Sequence, residues 1–338
     1  MSNNIKVKVK MGMLINGEWS EVDKTIVNGQ YVRANSVIAQ PISDNMIQSI
    51  ADEPGRFHLI ASWSCPWSHR TMLVRALKGL QDLIPLHIAG GRRVQGYPMD
   101  YGELWEVPGT TRKIVHLHQL YCVSDNQFSG RVTVPVLWDK VAKKIISNDS
   151  QNIMRALDRV ETESWNVTRP ESGFPATKPG SFSPEHLARE IETLNQFIYL
   201  HISNGVYQAG FAQSQAAYDE AIELVFAGLE KLEQKLAGRR FLLGQQITES
   251  DLQLFPALVR FDVVYFIHHF CSLKRLTDFP NLWAYARDIY SIPQVAQTID
   301  WRAIQISNHL PKSNDELPII RVMPENDWLK PSGRERIG

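Results

Sequence analysis

Between Arg56 and Gly90 the chain reads "RFHLIAS", "WSC", "PWSHRTMLVRALKGL" and "LIPLHIAG" in succession. The first and last pieces are apolar runs of strand length, and the long middle piece has helical spacing. A strand, a helix and a parallel strand commit the first domain to an α/β beginning. The point where strand gives way to helix is a lone cysteine, Cys65, followed by Pro66. With Pro66 as first helical residue, the sulfur faces unpaired backbone N–H groups and the positive end of the helix dipole. Such surroundings favour a thiolate. A free cysteine is otherwise commonly buried and inert, but strand, Cys-Pro and helix start together point to a nucleophile. Three residues on stands Ser68 rather than a second cysteine. A mixed disulfide on Cys65 then has no neighbouring thiol to resolve it, and glutathione is the abundant external one.

Two later stretches bear on the same site. In "VTVPVLWD" a proline interrupts a strand-like alternation. Either this is an ordinary edge strand, or the Val134–Pro135 bond is cis and the Val134 backbone is left to pair with an extended peptide. In "SNDSQNIM" a helix begins at Ser150, whose hydroxyl and neighbouring N–H groups suit a carboxylate, while Asp149 suits an ammonium group. Together they match a γ-glutamyl end; read alone, "NDS" is more often simply a helix cap. The intervening "KKIIS" reads as a hairpin strand after "VTVPVLWD", and residues 91–115 as an irregular insertion.

At 338 residues the chain exceeds one ordinary core, so two domains with extensions are expected. The divisions expected are an extension over residues 1–54 without useful helical period, an α/β domain over 55–165 and a Pro/Gly/Ser/Thr-rich linker over 166–184. An all-helical domain over 185–306 and a coil tail over 307–338 follow. Within the helical part "ITESD" marks a helix start, with Thr248 as cap and Asp251 as its reciprocal partner. Lys plus Arg and Asp plus Glu both total 36, which gives no pull toward nucleic acid or an anionic membrane. No segment is apolar for long enough to span a bilayer, and three widely spaced cysteines do not make a disulfide framework, so a reducing cytoplasm is expected. Cys122 and Cys271 read as structural. His116, His118, His268 and His269 lack partners at ligand spacing, so no metal is expected.

These pieces in this order resemble the cytosolic glutathione transferases, with a thioredoxin-like N-terminal domain and an all-α C-terminal domain. The cysteine motif narrows the resemblance to the Omega-like classes. The segments "GRFHLIASWSCPWSHRTMLVRALKGL", "GRVTVPVLWDK", "NGVYQAGFA", "LVRFDVVYFIHHFCSLKRL", "PNLWAYARDIY" and "MGMLINGEW" are similar to the Xi class, the glutathionyl-hydroquinone reductases. The resemblance implies glutathione as co-substrate, a small aromatic glutathionyl conjugate as partner, no metal, and a homodimer to which residues 204–212 contribute. It implies Cys65 as nucleophile, Tyr199 as proton donor and Tyr265 as a stabiliser of the thiolate. Arg131, Val132, Thr133 and Val134 would hold the glutathione backbone, and Asp149 and Ser150 its γ-glutamyl end. An Omega-like thiol transferase and a non-catalytic conjugate-binding protein are the alternatives. The chain departs from the class pattern at three places. Tyr97, in "QGYPMDYGE", stands near the usual glutathione-covering Trp. Asp149-Ser150 replaces Glu-Ser, and "SNHLPK" puts Asn308 or His309 where the class has a His-Tyr-Tyr run.

Overall fold

The computed structural model describes residues 12–22, 25–161, 180–309 and 327–337, without the side chains of 307–309. Four strands form the central sheet in the order Lys144–Ser147, Val136–Asp139, Phe57–Ala61, Leu86–Ile88. Leu86–Ile88 runs parallel to Phe57–Ala61, and the other neighbouring pairs are antiparallel. Alternation along Phe57–Ala61 decides what each face meets. Phe57, Leu59 and Ala61 face the helices Pro66–Leu77 and Ser150–Asp158, while Ile60 joins Val136 and Trp138 against the helix Leu117–Ser124. This is the thioredoxin-like arrangement.

The helix Pro66–Leu77 starts where the sequence places it: Pro66 opens it, and Cys65 is its cap. The expected cap at Thr248 is present too. Asp251 accepts hydrogen bonds from Thr248 N and Oγ1, both at 2.8 Å, and also from Leu242 N and the Tyr285 hydroxyl. Buried Asp251 thereby ties the start of Glu249–Arg260 to the helix Pro280–Tyr290. The helical domain packs against the helices that cover the Phe57 and Leu59 face, with Glu249–Arg260 lying on Pro66–Leu77, so one continuous core spans the junction.

Several features differ from the sequence reading. Residues Asp44–Asp52 form a helix inside the extension, capped by Ser43 and burying only Ile47 and Ile50, too few apolar residues for its period to stand out. Leu117–Ser124 is likewise helical, its first turn held by Gln119 Oε1, which accepts from Val115 N and His116 N at 2.9 Å each. The extension does not wrap the first domain alone. Met13–Ile15 pairs with Gly130–Arg131, whereas Tyr31 packs on Tyr207 and Phe211 of the helical domain. Of the C-terminal tail, residues 310–326 lie outside the described residues. Trp328 and Arg334 are buried against the helical domain rather than laid over its surface, Trp328 beside Trp283 and Arg334 bonded to Leu236 O at 2.9 Å. The expected linker lies outside the described residues through 179; at its end Phe182 is buried, its N–H donating to Asp158.

Candidate functional site

A cavity of about 1210 Å³ opens between the two domains. All ten residues expected to form a site line it: Cys65, Tyr97, Arg131, Val132, Thr133, Val134, Asp149, Ser150, Tyr199 and Tyr265. Cys65 is 7% exposed. Its Sγ accepts the Ser68 N–H at 3.5 Å and lies 3.7 Å from the Val134 carbonyl, to which the thiol donates. The helix start and the segment just before Pro135 therefore meet at the sulfur.

The Val134–Pro135 bond is cis. Ladder pairing in this strand begins at Val136, opposite Ile60. Just before it, both backbone groups of Thr133 are engaged by Tyr121: its hydroxyl donates to Thr133 O at 2.9 Å and accepts from Thr133 N at 3.3 Å. Thr133 is held by the protein itself, and Val134 is the position whose main chain faces the cavity beside the sulfur. Asp149 caps the helix Ser150–Asp158 through Oδ1, which accepts from Asn152 N at 2.9 Å. The plain capping reading of "NDS" therefore holds for Asp149, and Ser150 sits in the first turn with its side chain at the cavity wall.

The opposite wall comes from the helical domain. Tyr199 and Tyr265 each lie in a stretch where the helix widens to an i→i+5 bond: Asn204 N donates to Tyr199 O at 2.9 Å, and Phe266 N donates to Phe261 O. Such widened turns occur frequently at functional sites because they re-aim the side chains around them. Tyr199 stands 5.9 Å from the Trp67 ring. Tyr265 is buried and within hydrogen-bonding reach of Tyr207; burial, opposed by Arg260, pushes its phenol up to about 12. Burial likewise pushes Tyr97 up to about 12, against the pull of Arg93, which stacks 4.0 Å over its ring. The Tyr97 hydroxyl points at the Cys65 thiol, a second reason for it to keep its proton. Both phenols are hydrogen-bond donors at neutral pH.

Several residues the sequence reading passed over complete the site. Arg260, 1% exposed, donates to the carbonyls of Trp63, Ser64 and Pro256 at 2.7, 3.3 and 2.9 Å and to His69 Nδ1 at 2.9 Å. His69 Nε2 then carries the ring proton and bonds Thr298 Oγ1 at 2.8 Å, whose own proton goes to Val295 O. Burial first, and Arg260 second, hold this imidazole well below its ordinary value. The loop that presents Cys65 is thus clamped by the helical domain. Tyr207 lies in "NGVYQAGFA", and its ring faces Tyr265, Tyr31 and His269 of the same chain. The extension crosses the cavity mouth: Ile38 bonds Asn148 and Ser147 at one end, and Gly29 O accepts from Gln213 N at the other. The signal for Arg260 was its place directly after the unbroken apolar run "LFPALV" of its helix. Asn308 and His309 fall on the helix Trp301–His309, and their side chains lie outside the described residues. Among the described residues no group of three His, Cys, Asp or Glu side chains is placed to hold a metal ion, and no helix is long and apolar enough to cross a membrane.

Known proteins agree with this geometry. Residues 64–160 match the glutathione S-transferase N-terminal domain, and residues 215–288 match its C-terminal domain. The chain is 37% identical over 341 residues to the glutathionyl-hydroquinone reductase YqjG of Escherichia coli, covering 96% of this chain and 99% of that protein. The glutathione-bound structure of that bacterium's YqjG superposes with a TM-score of 0.74 at 39% identity, over 84% of this chain and 90% of the other. A Xi-class glutathione transferase from Natrialba magadii superposes with a TM-score of 0.80 at 32% identity, over 98% of both chains. With a thioredoxin-like domain, a helical domain and a cysteine-centred cavity between them, the chain belongs to the Xi class of glutathione transferases, the glutathionyl-hydroquinone reductases, and is a glutathione-dependent enzyme.

Proposed function

We propose that the protein removes glutathione from glutathionyl-hydroquinones through a mixed disulfide on Cys65. The observation that carries this reading is the meeting of Cys65 Sγ with the Val134 carbonyl at 3.7 Å in a cavity whose facing wall holds Tyr199. Glutathione lies antiparallel to the Val134 main chain, with its γ-glutamyl end at Asp149 and Ser150 and its glycyl end toward Arg131 and the side of Tyr97. The Cys65 thiolate attacks the glutathionyl sulfur. Tyr199 first gives its proton to the sulfur-bearing ring carbon as a ring hydroxyl gives up its own, which makes the keto tautomer; as the new S–S bond then forms, the bond from sulfur to that carbon breaks and its electron pair passes to the ring carbonyl oxygen. Carbon leaves poorly unless the ring is in its keto form, which accepts the electron pair, and an acid is in place. A second glutathione thiolate then attacks the mixed disulfide, releasing glutathione disulfide and restoring the Cys65 thiolate. One C–S bond is reduced to C–H while the conjugate's sulfur and the second glutathione thiol are oxidised to the disulfide, so electrons balance without a metal.

Tyr97 and Tyr265 act as neutral donors around the sulfur, consistent with phenols that stay protonated to about 12. Tyr97 in this reading serves the thiolate rather than only covering the tripeptide. The enzyme works in the cytosol, where glutathione is abundant, and as a homodimer. The test is turnover of a glutathionyl-hydroquinone with excess glutathione, following hydroquinone and glutathione disulfide together. Release of both in equal amounts, lost in Cys65→Ser, is expected. Turnover of small mixed disulfides with no hydroquinone release would overturn the proposed substrate.

A further inference from the structure

The acceptor side of the cavity carries positive charge that no carboxylate among the described residues neutralises. Arg33, on the extension, and Arg70, on the Cys65 helix, both stack on the indole of Trp67, 4.1 and 4.3 Å from its centre. Arg70 is 4% exposed. It donates only to neutral oxygens, Ser203 Oγ at 2.9 Å and Gln253 O at 3.3 Å, and its Nε has no partner. Arg33 is half-buried and forms no salt bridge among the described residues. The acid whose field reaches Arg70, Glu249, is already taken: its carboxylate accepts from Arg155, Asn195, Gln253 and Ser183 at 2.9, 2.9, 3.0 and 2.6 Å. Arg260, nearby, likewise meets only carbonyls and an imidazole.

The two guanidinium groups share one indole, and the charge of Arg33 opposes that of Arg70. Cation–π contact with one indole offsets only part of that, well short of what pairing with a carboxylate supplies to a desolvated guanidinium. The glutathione carboxylates, in the pose proposed above, lie at Ser150 and on the side of Tyr97. Trp67 also touches Tyr199, the residue facing the aromatic leaving group. The unneutralised pair therefore borders the ring of the conjugate.

Resting on the function proposed above, we infer that Arg33 and Arg70, stacked on Trp67, form a receptor for an anionic substituent on the aromatic ring. The substrates are then glutathionyl conjugates of acidic aromatics, carrying a ring carboxylate or a group of like charge. Arg33 supplies the adaptable half of the receptor because it rides on the segment crossing the cavity mouth.

Binding tests this without catalysis. On the Cys65→Ser protein, S-(4-carboxybenzyl)glutathione and its neutral isostere S-(4-carbamoylbenzyl)glutathione are titrated calorimetrically at one ionic strength. The carboxylate is expected to bind about tenfold more tightly, equivalent to about 1.4 kcal/mol. Adding Arg33→Gln should collapse that ratio to within twofold, and Arg33→Lys, which keeps the charge, should retain a severalfold preference. Equal affinity of the two ligands, or a preference that survives Arg33→Gln, overturns the inference while leaving the glutathione reading intact. Binding of neither ligand removes the glutathione reading, and the inference falls with it.

Discussion

On one wall of the cavity Cys65, Val134 and Ser150 stand where main-chain geometry does most of the work: a helix start, an unpaired strand end, a second helix start. On the facing wall Tyr199, Tyr207, Tyr265 and Arg33 present side chains, each brought in by a different segment. In the function proposed above, a backbone-built wall recognises what all glutathione conjugates share, the tripeptide. A wall of side chains recognises what differs between them. Changes on the first should therefore stop the chemistry altogether, and changes on the second should alter which conjugate reacts and how fast.

The largest expected effect is on the backbone wall. Cys65→Ser should lower hydroquinone release about 10³-fold or more, since removing a nucleophile leaves only binding and electrostatics. Its affinity for an S-alkyl glutathione should change less than threefold, because Val134 and Ser150 remain. Loss of binding along with activity would mean the tripeptide is not held there.

Tyr199→Phe probes the facing wall. A missing general acid costs typically 10²- to 10⁴-fold, and the loss should fall on kcat for hydroquinone release. Glutathione-dependent reduction of 2-hydroxyethyl disulfide requires no protonation of carbon and should persist within threefold. Equal loss in both assays would break the division of labour between the walls.

The two walls were unequally legible in the sequence. Cys65-Pro66, Val134-Pro135 and Asp149-Ser150 are local signals, each read within a few residues because caps and proline turns are local physics. Tyr199 and Tyr265 sit in apolar helical runs where a tyrosine is ordinarily core, and only resemblance to the Xi class singled them out. Arg260 and Arg33 were missed altogether. Their partners are 196 residues from Arg260 at Ser64 and 34 residues from Arg33 at Trp67, and no window along the chain joins them. The fold followed the same rule. The sheet strands and the Thr248 cap were visible, while Asp44–Asp52 buries too few residues and Leu117–Ser124 is too short to impose a period.

Arg260 joins the walls, so removing it should weaken both. Arg260→Met leaves the carbonyls of Trp63, Ser64 and Pro256 without their donor. Buried acceptors left unpaired cost about 1 to 3 kcal/mol each, partly offset by relief of the buried charge. A net loss of about 2 to 4 kcal/mol in urea unfolding is expected, with both half-reactions slowed. Unchanged stability would show that the clamp is not what sets the loop.

His69 gives the smallest and most specific reading of the same joint. As the neutral acceptor of Arg260 N–H, it refuses a proton that the unfolded chain accepts below about pH 6.5. Between that value and its much lower folded one, the unfolded state binds more protons, so stability falls as pH falls. His58 and His269, each held by burial to about 4, add to the same slope. Each such imidazole contributes about 1.4 kcal/mol per pH unit across its window. Replacing His69 with Asn should therefore flatten the pH dependence of unfolding between pH 6 and about 4.5 by roughly that amount, while His58, His118, His269 and the less strongly lowered His87 and His116 keep the remainder. A slope identical to wild type would mean that the folded protein protonates His69 after all. Arg260 would then face a cation, and the clamp between the two walls would rest on the carbonyls of Trp63 and Ser64 alone.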